Sequence, residues 1–216
     1  MSDPVFSASR FREPATTKRD AVLLAAAEVF LQVGYGAASM DAIARTAGVS
    51  KATVYAYFPS KDALFAAIID YGCRNRFGGQ FDPAASSGDI ATDLRDIGRR
   101  FYDMVLAPEG LAMYRVVVAE AVRFPELGRA FYDAGPRQTL DNLERMLQSA
   151  ADRGQLDIKE PRSAAEQFMG LIRGDLFLRR LLGMADESEV AGLDEAVQRA
   201  VQTFMTAYAP APRLNA

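Results

Sequence analysis

The chain has 216 residues, half of them hydrophobic and a quarter charged, with a formal net charge of −3. That is the balance of a globular protein with room for one or two domains and a real core. No histidine and a single cysteine are present, which excludes Ser-His-Asp and Cys-His catalysis, an internal disulfide and the usual zinc sites.

No apolar run reaches the roughly 20 residues of a membrane span, and the first twenty residues lack the apolar centre of a secretory signal. The expectation is a cytoplasmic protein with no membrane partner. Without a Gly-rich phosphate loop, a calcium loop or a usefully spaced acid–base pair, neither an enzyme nor a metal or cofactor site is expected. Cys73 reads as a small apolar core residue.

From residue 17 onward the apolar spacing is helical, with no sustained strand-like alternation. The first helix is predicted over 18–33, where Val22, Ala25, Ala26, Val29 and Phe30 recur at three- and four-residue steps, and Gly34-Tyr35-Gly36 stops it. Ser39 is placed to cap a short helix over 40–47 closed by Gly48, Ser50 to cap another over 51–58, and Ser60 to cap a long one from 61 to about 76. The run "GGQFDPAASSGD" at 78–89 is the clearest loop. Further helices are predicted over 90–106, 111–124, 126–134, 136–153, 162–182 and 188–208, separated by "APEG", Pro125, Gly135-Pro136, "GQLDIKEP" and "GMADE". The architecture is therefore all-α, a three-helix helix-turn-helix head followed by longer helices, with a disordered arm at 1–15 and a disordered tail at 209–216.

Two short helices joined by a turn at Gly48 form a helix-turn-helix pattern. Ala44 sits where the helices cross, Ile43, Val49 and Val54 form the seam, and the first helix supports the pair. Charge is distributed to match: residues 1–61 carry seven Lys and Arg against five Asp and Glu, whereas the remainder carries 18 against 23. A mildly basic head on an acidic body suits a DNA-contacting domain joined to something else.

The segment "TKRDAVLLAAAEVFLQVGYGAASMDAIARTAGVSKATVYAYFPSKDALFAAII" resembles the DNA-binding domain of the tetracycline-repressor (TetR) family over about fifty residues. "VYAYFPSK" stands where that family closes its recognition helix and opens the next. The resemblance implies a domain at 16–61 that reads double-stranded DNA and a sensing and dimerising domain at 62–208. In a helix laid in the major groove, N-terminal side chains reach base edges and flanking ones hold phosphates. Lys51, Ala52 and Thr53 fit the first role, and Tyr55 and Tyr57 the second. Tyr55 could instead pack against the first helix, the less favoured alternative, whereas Val54 and Phe58 read as core. Lys61 is expected as a free cation beside a helix N-terminus, completing a phosphate clamp. Thr17 and Ser39 are carried over from the resemblance as phosphate contacts, and Arg10 and Arg12 fit either a minor-groove arm or a disordered tail.

In the body, "MYRVVVAEAVRFPELGRAFYDAGP" and "ADRGQLDIKEPRSAAEQFMGLI" resemble an AefR-like C-terminal domain. Tyr102, Val105, Tyr114, Arg115, Val118, Phe124, Phe131 and Met146 are candidates to line a mostly apolar cavity for a small-molecule effector, although for any one of them packed core is the preferred reading. The family's name-giver holds tetracycline–Mg²⁺ through histidine, which this chain lacks. Gly170, Gly174, Phe177, Leu178 and Leu181 on one helix, with Val197, Val201, Phe204 and Met205 on the next, are the expected face of a homodimer reading a palindromic operator. The resemblance favours a repressor released by its ligand. An activator, a ligand-independent regulator or a helix-turn-helix protein-interaction module remains open.

Overall fold

The computed structural model describes residues 17–77, 87–184 and 192–210. The arm with Arg10 and Arg12, most of the 78–89 loop, residues 185–191 and most of the tail lie outside them, as does the side chain of Cys73. Ten helices and no strand occur among the described residues: α1 (Lys18–Ala37), α2 (Met40–Ala47), α3 (Lys51–Tyr57), α4 (Lys61–Phe77), α5 (Ile90–Val105), α6 (Pro108–Glu120), α7 (Pro125–Ala134), α8 (Pro136–Asp152), α9 (Pro161–Leu181) and α10 (Leu193–Ala207).

Local chemistry sets most boundaries. Thr17, Ser39 and Ser50 each accept a backbone N–H from three residues on (Asp20, Ala42 and Thr53), satisfying a donor that the first helical turn leaves without a partner. Gly48 closes α2 at φ 66°, in the left-handed region that costs a glycine little. At Gly34 the backbone turns to φ 77°, ψ 167°, so the regular part of α1 ends where the "GYG" stop predicts. The "APEG" segment behaves differently from its reading as a separator. Pro108 opens α6, as Pro125 and Pro161 open α7 and α9, because a proline at the first helical position lacks only an N–H that would have no partner there.

The chain packs as two compact units. The first comprises residues 1–73 and 108–136, so α6 and α7 join the helix-turn-helix segment. By packing, that unit reaches beyond the 16–61 span read from the sequence. Its core gathers Val22, Leu23, Ala26, Phe30, Ile43, Val54, Phe58, Leu64, Phe65 and Leu127. Phe30, Tyr35 and Phe65 form an aromatic cluster with ring centroids 5.5–5.7 Å apart. By length and composition alone α1 is one weak candidate for a membrane span among the described residues, a test that the core helix of a globular protein also passes. Its apolar residues Val22, Leu23, Val29 and Phe30 are buried in this core.

The second unit comprises residues 74–107 and 137–216. Asp89 caps α5 by accepting from the N–H groups of Ala91 and Thr92. Within it α10 packs on α5 and α9. The approach is close at Gly98, where an added Cβ would meet Ile172 and Val197 at 2.9 Å. Phe168 and Phe204 meet edge-to-face at 5.3 Å, and the Tyr208 hydroxyl donates to Gln167. Arg162 ties α9 to α8 through Asp141 (2.5 Å) and Glu144 (3.4 Å), with Glu166 on its own helix.

Candidate nucleic-acid interface

The helix-turn-helix presents α3 with two distinct faces. Val54 is fully buried and Phe58 nearly so, under Arg19. On the other side Lys51, Ala52, Tyr55 and Tyr57 are exposed, and both tyrosines keep more than two-fifths of their surface in solvent. Tyr55 thus falls on the outward side rather than against α1. Thr53 is half-buried, and its hydroxyl shares a hydrogen bond with Ser50 Oγ (2.8 Å).

Thr17 and Ser39 are exposed at the starts of α1 and α2, and both hydroxyls serve as caps; Thr17 also donates to Asp20 (2.8 Å). Lys51 does not stand alone either. Its ammonium lies 2.8 Å from the carboxylate of Asp41 in the first turn of α2, and that pairing raises the lysine pKa above its ordinary value.

Lys61 differs most from expectation. It is not a free cation: its ammonium donates to the carbonyls of Tyr35 (2.7 Å) and Ala38 (3.2 Å) and lies 4.3 Å from the centre of the Tyr35 ring. Two of its three N–H donors therefore hold the turn between α1 and α2, and one is left. Beside it, Asp62 accepts a hydrogen bond from the Tyr35 hydroxyl. Burial first, then that bond, push the phenol well above its ordinary 10.0. Phe124, from the corner after α6, packs edge-to-face on Tyr35 at 5.5 Å. Glu120 reaches the N–H of Gly36 at 3.5 Å, and a Cβ at Gly36 would press on Phe124 at 3.2 Å. The sequence offered no cue to these ties, because the partners lie 23 to 89 positions apart.

The proposed cavity residues do not behave as one set. Tyr102, Val105 and Met146 lie in the second unit; Tyr114, Arg115, Val118, Phe124 and Phe131 lie in the first. Tyr102 and Met146 are buried, and the Tyr102 hydroxyl is taken by the Ile172 carbonyl (2.5 Å). Tyr114 and Phe131 pack edge-to-face at 5.3 Å. Arg115 and Val118 are exposed and Phe124 belongs to the Tyr35 cluster, so these three do not line a closed cavity within their unit.

The expected dimer face also divides. Val197, Val201 and Phe204 are almost fully buried within the chain itself, against α5 and α9. They are core, because the stripe they form meets its own neighbours; Met205 is half-buried. On α9, Gly170 and Gly174 have open space beside them, and Gly174 breaks the helix at φ 47°. Leu178 is about half exposed, Phe177 and Leu181 are half-buried, and Leu171, Leu182 and Met184 add exposed apolar surface that the sequence reading missed.

Residues 22–68 match the family model for bacterial regulatory proteins of the tetR family, and residues 92–210 match the AefR-like transcriptional repressor C-terminal domain. The regulator Rv1556 of Mycobacterium tuberculosis is 30% identical over 169 residues, 76% of this chain and 77% of that protein. The transcriptional activator FasR of Mycolicibacterium smegmatis is 37% identical over 94 residues, so the match spans less than half of either protein (44% of this chain, 43% of FasR). Among solved structures, the flavonoid-responsive regulator FrrA superposes with a TM-score of 0.70 at 38% identity over 91% of this chain and 98% of its own. A TetR-family regulator from Mesorhizobium loti gives 0.76 at 25% identity, covering 92% and 100%. With its helix-turn-helix geometry and matches across both parts of the sequence, the chain belongs to the TetR family of DNA-binding transcriptional regulators, a family of regulators rather than enzymes, and carries an AefR-like C-terminal domain.

Proposed function

We propose that this protein is a cytoplasmic homodimeric repressor that holds a palindromic operator and releases it when a small, mostly apolar ligand binds the C-terminal part. The observation that carries the DNA-reading role is the outward face of α3, with Lys51, Ala52, Tyr55 and Tyr57 exposed while Val54 and Phe58 anchor the helix. In a major groove Lys51 donates to guanine or phosphate, Ala52 and the Thr53 methyl meet thymine, and the tyrosine hydroxyls donate to phosphate oxygens. Thr17 and Ser39 flank that surface at helix starts, and the remaining N–H of Lys61 is available for a phosphate. One head supplies too few contacts for a specific site, which favours two heads reading half-sites about one helical turn apart.

A second copy pairing along α9 is supported by the apolar surface and room for close helix approach that Gly170, Leu171, Gly174, Leu178 and Leu182 leave there. FrrA responds to flavonoids by its name, which supports an aromatic, largely apolar effector here. Release is a population shift: a ligand favouring a displaced α4, the helix that starts at Lys61, lowers operator affinity. FasR is an activator, so direction is decided by experiment. Duplexes selected from random DNA, and DNA upstream of its own gene, are offered to the full-length protein, followed by transcription in vitro with and without a flavonoid panel. Failure of the selection to enrich any sequence overturns the DNA reading; enriched sites whose transcription rises with the protein overturn repression.

A further inference from the structure

We infer that Asp41 is a built-in counterion for the reading helix, setting how strongly, and with what salt dependence, this head holds DNA. The inference rests on the proposal that Lys51 faces DNA. Lys51 opens α3 and Asp41 stands in the first turn of α2, and their side chains meet at 2.8 Å although each is more than half exposed. The sites differ in what they favour. Asp41 sits beside the free N–H groups of a helix start, where negative charge is stabilised. Lys51 occupies the same place on α3, where a cation is disfavoured and an anionic neighbour offsets the mismatch.

The consequence concerns ions. A protein cation that neutralises a phosphate releases a counterion from DNA, and the logarithm of the binding constant falls with the logarithm of salt by about 0.9 for each one. A lysine that arrives with its own carboxylate delivers almost no net charge. Its hydrogen bonds still position the helix, but they add little to the sequence-independent attraction that holds such heads on any DNA. Asp41 therefore restrains non-specific binding at the cost of affinity.

The test is fluorescence anisotropy of the full-length protein on its selected duplex and on a scrambled one, from about 50 to 200 mM KCl, the range over which phosphate contacts dominate affinity. Asp41→Asn should bind both duplexes more tightly at the low-salt end and steepen the slope by about 0.9 per head. Across that fourfold range the added steepness is an extra loss of about 3.5-fold per head. Asp41→Ser, which keeps a short polar side chain, should do the same if the asparagine variant misfolds by circular dichroism. Glu28→Gln, an exposed acid on α1 bonded to Gln32, controls for net charge alone. An unchanged slope in Asp41→Asn, or an equal rise in Glu28→Gln, overturns the inference. Lys51→Ala separates it from the reading it rests on. If that variant binds like the parent, the DNA role of Lys51 fails; if it flattens the slope while Asp41→Asn leaves it unchanged, only the counterion role fails.

Discussion

Replacing Lys61 by alanine tests whether this lysine holds the head together. Its ammonium makes two charge-assisted hydrogen bonds, to the carbonyls of Tyr35 and Ala38, and lies against the Tyr35 ring with Phe124 farther out at 5.8 Å. A hydrogen bond to a charged group is worth about 1.5–3 kcal/mol net, and a cation over an aromatic face about 0.5–2 kcal/mol. These do not add, because one ammonium makes them all and is half-buried rather than sealed from water. Truncation should therefore cost about 2–3 kcal/mol, which for a chain of this size lowers Tm by roughly 4–12 °C. Thermal melts followed by circular dichroism read this directly, and hydrogen exchange should place the loosening at the Gly34–Ala38 turn. Lys61→Arg, which retains charge and donors, should recover part of the loss. A Lys61→Ala protein that melts within about a degree of the parent, a shift too small for even half a kcal/mol, would refute the reasoning. The same variant titrated with salt asks whether the third N–H reaches a phosphate, in which case the slope falls by about 0.9 per head.

Phe124→Ala should destabilise the first unit by about 2–3 kcal/mol, less than a fully buried phenylalanine because the ring is half-buried, measurable by urea unfolding. Gly98→Ala forces a methyl into contacts of 2.9 Å with Ile172 and Val197. Overpacking of about 1–3 kcal/mol should outweigh the gain of about 1 kcal/mol in helix propensity, so a Tm at or above the parent's would count against this packing. Leu178→Glu should yield monomers by light scattering at micromolar concentration, whereas Val201→Glu should fail to fold; a folded Val201→Glu would contradict its burial. Tyr35 keeps its proton in the folded state above the pH at which the unfolded chain loses it. Stability of the head is therefore complete below about pH 10 and falls as pH rises beyond it, a decline that Tyr35→Phe should weaken.

The helix-turn-helix was legible because its determinants are local. Caps at Thr17, Ser39 and Ser50 and the glycine at 48 act within four residues, so α2 occurs where predicted and α3 ends one residue early. Val54 and Phe58 could be told from Tyr57 by seam position, and the exposures agree, whereas Tyr55, open between DNA and the first helix in the sequence, is settled as exposed only by the fold. Among the proline-led helices, α8 starts at Pro136 as predicted, whereas α7 and α9 start one residue and α6 three residues before the predicted position, because a proline signals both a break and a first helical turn. Asp41 went unnoticed because its significance lies in a contact across two helices.

Sequence alone determined the class of structure, the position of the reading helix and the family, since periodicity, caps and the "VYAYFPSK" register all act at short range. Tertiary structure decided what each stripe and charge meets. An apolar stripe at 197, 201 and 204 looks the same whether it faces a second copy or its own α5 and α9, and only packing showed the latter. A lysine after a proline-serine break looks free until the fold brings two carbonyls within reach of it. The physical reason is common to both: burial and ion pairing depend on distance in space, and distance along the chain carries that information only within a turn or two of helix.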